Sequence, residues 1–220
     1  MIAIPRLILL SLAALLLAAC ATQPPVTSVW TAPAQAGHPY QRPIVLGVAT
    51  SPKVRRAYED HFVKQLTAYG TNAQAGHDLI PDRYLGRLAR LKSAIAHAKA
   101  DAVFIAHLVA DEDSHHQPMT RLAAVPAHYY TLADYVSQVY RDISAPDYYS
   151  NPKGLRLEVN IYDAKQARLV WSGRSQLLDP SSERTTIGQV IGEIIAQMGQ
   201  DGVLPRPPVS TPASARQVDE

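Results

Sequence analysis

Two uninterrupted apolar runs, Ile44-Val45-Leu46-Gly47-Val48-Ala49 and Ala102-Val103-Phe104-Ile105-Ala106-His107-Leu108-Val109, constrain this chain more than any other feature. A strand with apolar side chains on both faces has to be covered on both, which is the condition of inner strands in a sheet sandwiched between helices. The segment between the runs supplies helices. Ser51 suits an N-cap and Pro52 a first helical position; Tyr58, Phe62, Leu66 and Tyr69 then share a face, and Gly70 marks the end. Residues 73–79 are weakly strand-like, and Pro81-Asp82 open a second helix with Leu88, Leu91, Ile95 and Ala98 inward.

Further on, Leu155 to Tyr162 alternates and, with Arg168 to Ser172 across a turn at Asp163 to Gln166, predicts an antiparallel hairpin with one wet face. The last helix places Ile187, Val190, Ile191, Ile194, Ile195 and Met198 three and four residues apart, with Ser181 or Ser182 available as caps. The order β-α-β-α-β-β-β-α predicts an α/β fold over residues 43–204: a mixed five-stranded sheet with helices packed on it and one long tyrosine-rich insertion, residues 111–150.

The flanks read differently. Residues 1–19 carry one charge, Arg6, followed by an apolar run from Leu7 to Ala19. This is too short to cross about 30 Å of hydrocarbon comfortably and fits an export signal. Leu17-Ala18-Ala19-Cys20 resembles the lipobox of bacterial lipoprotein precursors, which implies cleavage before Cys20 and lipid on its thiol. Cys20 is the only cysteine, so no disulfide is available and the fold must rest on its core. Ala21, where an inner-membrane lipoprotein tends to carry aspartate, points to an outer-membrane location facing the periplasm. Residues 20–42 are proline-rich and without apolar period, and read as a tether of roughly 25 Å root-mean-square reach, with Trp30 an isolated aromatic that docks on lipid, docks on the domain or stays exposed. Residues 205–220, with four prolines, read as a disordered tail. Cleavage removes Arg6 from 21 basic side chains facing 19 acidic ones, a balance that argues against nucleic-acid binding.

The element order is similar to that of a small periplasmic module shared by the amino-terminal domain of TolB, the curli secretion lipoprotein CsgG and lipoprotein activators of penicillin-binding proteins. Tyr58-Glu59-Asp60, Ala100-Asp101-Ala102-Val103, Ile161-Tyr162-Asp163, Leu169-Val170-Trp171-Ser172-Gly173 and Asp179-Pro180, with the tyrosine-rich segment, resemble a group of proteobacterial lipoproteins. The resemblance implies a module that binds proteins or builds assemblies.

Three segments offer chemistry. Tyr129, Tyr130, Tyr135, Tyr140, Tyr148 and Tyr149 crowd the insertion, and tyrosine supplies rigid amphipathic contact area, so an envelope protein partner is the expectation there. Thr131 can cap a short helix presenting Leu132, Tyr135, Val136 and Val139, whose alternative role is to cover the sheet. Arg83, Arg87 and Arg90 at helical spacing, with Lys92 and Lys99 nearby and Lys53, Arg55 and Arg56 on the first helix, form a candidate surface for anionic lipid or wall glycan, or a solvated helix face. Asp111-Glu112-Asp113-Ser114-His115-His116 follows the central strand without helical metal-ligand spacing. No nucleophile elbow, phosphate loop or zinc-protease motif is present, so no enzyme, cofactor or metal is expected. The reading is a non-enzymatic, membrane-anchored adaptor, with a lipid- or glycan-binding protein and a metal-dependent enzyme as alternatives and self-association left open.

Overall fold

The computed structural model describes residues 26–32, 39–110, 125–145, 148, 155–176, 178 and 184–205. Its strands are β1 (Val26–Thr31), β2 (Pro43–Val48), β3 (Gln74–Ala75), β4 (Ala102–Ala110), β5 (Leu155–Asp163) and β6 (Leu169–Ser175). The helices are α1 (Pro52–Ala68), α2 (Gly76–Leu79), α3 (Leu88–Ala98), α4 (Leu132–Asp142) and α5 (Arg184–Gln200). One mixed sheet runs in the order β1-β6-β5-β4-β2-β3. β2, β3 and β4 are parallel, and β4, β5, β6 and β1 alternate.

The α/β class and the mixed sheet follow the sequence reading, but the strands number six rather than five. The extra strand comes from the expected tether. Val26–Thr31 pairs antiparallel with β6, and Trp30 is buried in the core instead of standing alone in a linker. A register shift between Val26 and Ser28 explains how two residues of equal parity serve opposite faces: Val26 joins the core beneath α1 and α5, Trp30 the core beneath α3 and α4. The pairing also covers the edge that β6 would otherwise expose.

Both faces of the sheet are covered. Phe62 and Leu66 of α1 and Val190, Ile191, Ile194, Ile195 and Met198 of α5 pack on Val45, Phe104, Leu157, Val159 and Ile161. On the other side, Leu91 and Ala94 of α3 and Leu132, Tyr135, Val136 and Val139 of α4 cover Ile44, Leu46, Val48, Val103, Ile105 and Tyr162. The β5–β6 hairpin therefore has no wet face. The polar residues that made β5 look alternating, Glu158 and Asn160, are fully buried.

Two helix predictions shift. Between Pro81 and Leu88 the chain forms a 3-10 turn, Asp82–Tyr84, and α3 begins only at Leu88. Gly86, at φ +73°, is the reason, because a left-handed residue breaks a continuous helix and a Cβ there would press on Tyr140 at 3.1 Å. In α1 the fully buried stripe is Arg55, Glu59, Phe62 and Leu66, while Tyr58 and Tyr69 are half-buried. α4 matches its prediction, with the Thr131 side chain accepting from the Asp134 N–H at 3.1 Å.

Gly173 on β6 has a steric role. A Cβ at that position would run into the indole of Trp171, which is fully buried and donates from Nε1 to Asp201 at 2.8 Å. Gly173→Ala is expected to lower unfolding stability by about 2 kcal/mol through overpacking. Urea denaturation reads this directly, and an unchanged midpoint would contradict it.

Candidate ligand cavity and the buried carboxylate beneath it

β2 and β4 lie side by side and parallel, and the helices that follow them in the described chain lie on opposite faces. After β2 the chain enters α1, on one face of the sheet; the helix that follows β4 in the described chain is α4, on the other face. This is a topological switch point, the place where open α/β sheets bind ligands beyond their carboxyl strand ends. A cavity of about 250 Å³ lies there, walled by Val48, Ala49, Thr50, Val54, Tyr58 and Leu155 among others. It adjoins two wider depressions: one of about 500 Å³ between α1 and α5 shares Val54 and Tyr58, and one of about 600 Å³ toward Arg87 and Ser144 shares Ala49 and Thr50.

Ion pairs anchored in α1 stiffen one wall of the cavity. Glu59, fully buried, accepts from the Gly47 N–H at 2.9 Å and Arg55 Nε at 2.8 Å through Oε1, and from the His77 N–H at 2.6 Å through Oε2. Arg55, also fully buried, donates from Nη1 to the Ile80 carbonyl at 3.1 Å and to Asp82 at 2.8 Å. The Arg55 hydrogen bond leads the causes that hold the Asp82 carboxyl below its usual pKa. The result ties β2, α1 and the turn after β3 into one unit. Arg55 was expected on the basic surface and instead belongs to the interior. Its signal was the spacing of Arg55, Glu59, Phe62 and Leu66, one stripe whose charged half compensates itself.

On the opposite face Glu158 occupies the level of His107 and Arg174 across β4, β5 and β6. Oε1 accepts from Tyr135 Oη at 3.0 Å and Asn160 Nδ2 at 2.8 Å; Oε2 accepts from Tyr129 Oη at 3.1 Å and Arg174 Nε at 2.6 Å. Four donors fill the acceptor sites of one carboxylate, so Glu158 holds structure and has no capacity left for a substrate proton. Burial alone would raise its pKa, but the Arg174 charge and the hydrogen bonds from Arg174 and Asn160 help to outweigh burial and hold it low.

Tyr135 Oη donates to Glu158, so it accepts from His107 Nδ1 at 3.0 Å, which places a proton on Nδ1. Burial lowers the His107 pKa, which favours the neutral imidazole with its proton on that nitrogen. The phenols of Tyr129, Tyr135 and Tyr162 are driven upward by burial and then by Glu158, so all three are donors.

The structure corrects the tyrosine expectation at two positions. Tyr129 and Tyr135 are core residues bonded to Glu158, not a partner surface. Tyr140 is half-buried between Gly86 and the turn before α3, and its hydroxyl has no hydrogen-bond partner among the described residues. Tyr130 and Tyr148 are half-buried and pack at the edge of the same core. Tyr149, the segment Asp111 to His116 and Cys20 lie outside the described residues.

Arg83, Arg87 and Arg90 are all exposed, but they do not form a plain stripe. Arg83 and Arg90 stack on the Tyr84 ring at 4.6 and 4.4 Å, and Arg87 stands at the start of α3. Among the described residues no three His, Cys, Asp or Glu side chains gather to hold a metal ion, and no helix is long and apolar enough to cross a membrane.

The fold and cavity define a helix-covered mixed α/β sheet protein with a pocket at its switch point. No family model matches the chain, and no curated protein matches it. Among solved structures it is similar to the PelC dodecamer from Paraburkholderia phytofirmans, at 12% identity and TM-score 0.41 over 81% of this chain and 96% of that one. A single-substitution variant of the same PelC dodecamer matches at 11% identity and TM-score 0.38, over 72% of this chain and 87% of that one.

Two outcomes test the buried network. Glu158→Gln strands Arg174 opposite a neutral amide and should cost about 3 kcal/mol, whereas Tyr135→Phe should cost about 1.5 kcal/mol; equal, negligible losses would contradict the arrangement. A histidine with a lowered native pKa binds its proton first in the unfolded chain, so its stabilisation is full above pH about 6.5 and declines as pH falls below that value. Thermal unfolding of the protein should therefore weaken from pH 7.5 to 5.5, with a shallower slope in His107→Gln. The same slope in both proteins would remove His107 as its source.

Proposed function

We propose that this chain is a lipid-anchored, non-enzymatic component of the outer membrane, its body facing the periplasm and serving as an adaptor or assembly factor for an envelope protein. The observation that carries the reading is the place of β1. It begins six residues after Cys20, so a lipid on that cysteine supports a body held close to the bilayer and not one on a long leash. The recognition site in this proposal is the cavity at the carboxyl ends of β2 and β4. Tyr129 and Tyr135 are spent in the core, whereas Ala49, Thr50, Val54 and Tyr58 connect three adjoining depressions into one concave surface. The two fully buried carboxylates support binding over chemistry, since Glu59 beside the cavity and Glu158 on the other face are both committed to protein donors.

Metabolic labelling with an alkyne fatty acid should mark the wild-type protein and not Cys20→Ala, and only the wild type should stay with membranes after a carbonate wash. A labelled, membrane-bound Cys20→Ala protein would overturn the anchor. For the site, a photoreactive group at Thr50 should capture one envelope protein in living cells, and the cavity-filling change Ala49→Trp should abolish that capture. Capture that persists in the filled variant would remove the cavity from the proposal.

A further inference from the structure

The strand register places the start of β1 at one identifiable end of the sheet. Val26 pairs with Ser175, one step beyond the level formed by Arg174, Glu158, His107 and Val48. The chain thus enters the fold at the end where β2 and β4 finish and the cavity lies. The opposite end is marked by the turn after β5, with Lys165 and Gln166 exposed. β5 alone has nine residues, about 26 Å at strand rise. Six residues from Cys20 to Val26 reach at most about 20 Å. A body tethered through Cys20 cannot stand upright on its far end, because the link is shorter than the sheet.

The near end also carries exposed cations on two of the helices that start there. α1 starts there with exposed Lys53, and the start of α3 brings exposed Arg87 and Arg90, while Arg56 is paired with Asp82 at 3.1 Å. Neither helix has an acidic residue in its first turn. Cations at the positive end of a helix dipole disfavour the helix, so helix stability does not account for their placement. Beside them stands Val54, at 42% exposure the large apolar side chain left open to solvent among the described residues.

Resting on the lipid-anchor reading, we infer that the end of the sheet carrying Lys53, Val54 and Arg87 docks on the phospholipid headgroup layer, so that the cavity opens toward the membrane. Lys53 and Arg87 meet lipid phosphates and Val54 enters the headgroup boundary, in the manner of an interfacial contact. The partner reached through the cavity is then one presented from the membrane side, and the turn at Gln166 points away.

The test uses the full chain, purified from membranes and reconstituted into vesicles of phosphatidylethanolamine and phosphatidylglycerol. An environment-sensitive fluorophore is placed at Val54→Cys or at Gln166→Cys, both on exposed positions, and a quencher is attached to the lipid headgroups. Quenching several-fold stronger at position 54 than at 166 is the expected result, with the difference reduced when Lys53→Glu and Arg87→Glu are combined. Equal quenching, or stronger quenching at 166, overturns the orientation. Flotation of the same samples separates the two readings: protein that floats with equal quenching keeps its anchor and loses the docking face, whereas protein that fails to float loses both.

Discussion

The pairing of β1 with β6 decides where this body can stand. Its hydrogen bonds take a proline-flanked segment that would otherwise roam and make it the edge of the sheet, with Trp30 and Val26 sunk into opposite cores. A strand bound on one side by a ladder with a single bulge, and by buried side chains on both faces, is a mechanical attachment, not a linker. What remains between Cys20 and the fold is short compared with the sheet, and that inequality turns a lipid on one cysteine into a constraint on direction.

A second constraint lies inside. Burying the Glu158 carboxylate is costly, and the cost is offset only because four donors converge on it from β5, β6, α4 and the turn preceding α4. The same donors fix the seat of α4 on the sheet and the tautomer of His107. The Arg55 and Glu59 pair does comparable work under α1. Between these two networks the carboxyl ends of β2 and β4 are held from both faces, which leaves the cavity between firm walls.

Much of the fold was legible because its signals are local. The two apolar runs, the Ser51-Pro52 helix start, the Thr131 cap and the isoleucine ladder of α5 each follow from short-range rules, and each appears where the residues place it. The misreadings share a different cause. β1 has no apolar period because its bulge breaks the alternation, so composition spoke for a linker while pairing with a distant strand made it part of the sheet. Glu158, Asn160 and Arg55 look like solvent-facing residues when taken singly; their partners lie tens of residues away or on another element, and only the assembled fold brings the charges together. Tyrosines crowded in sequence resembled a contact surface, yet Tyr129 and Tyr135 serve as long buried donors, a role that requires the carboxylate they reach.

Hydrogen exchange at the amides of Val26 to Thr31, measured on the full membrane-derived chain, tests the central claim most directly. Ladder-bonded amides in this stretch should exchange at least about 100-fold more slowly than an unstructured chain, as expected of a strand that opens only with its sheet. Exchange at the unstructured rate throughout the stretch would return these residues to the tether and dissolve the constraint on which orientation depends.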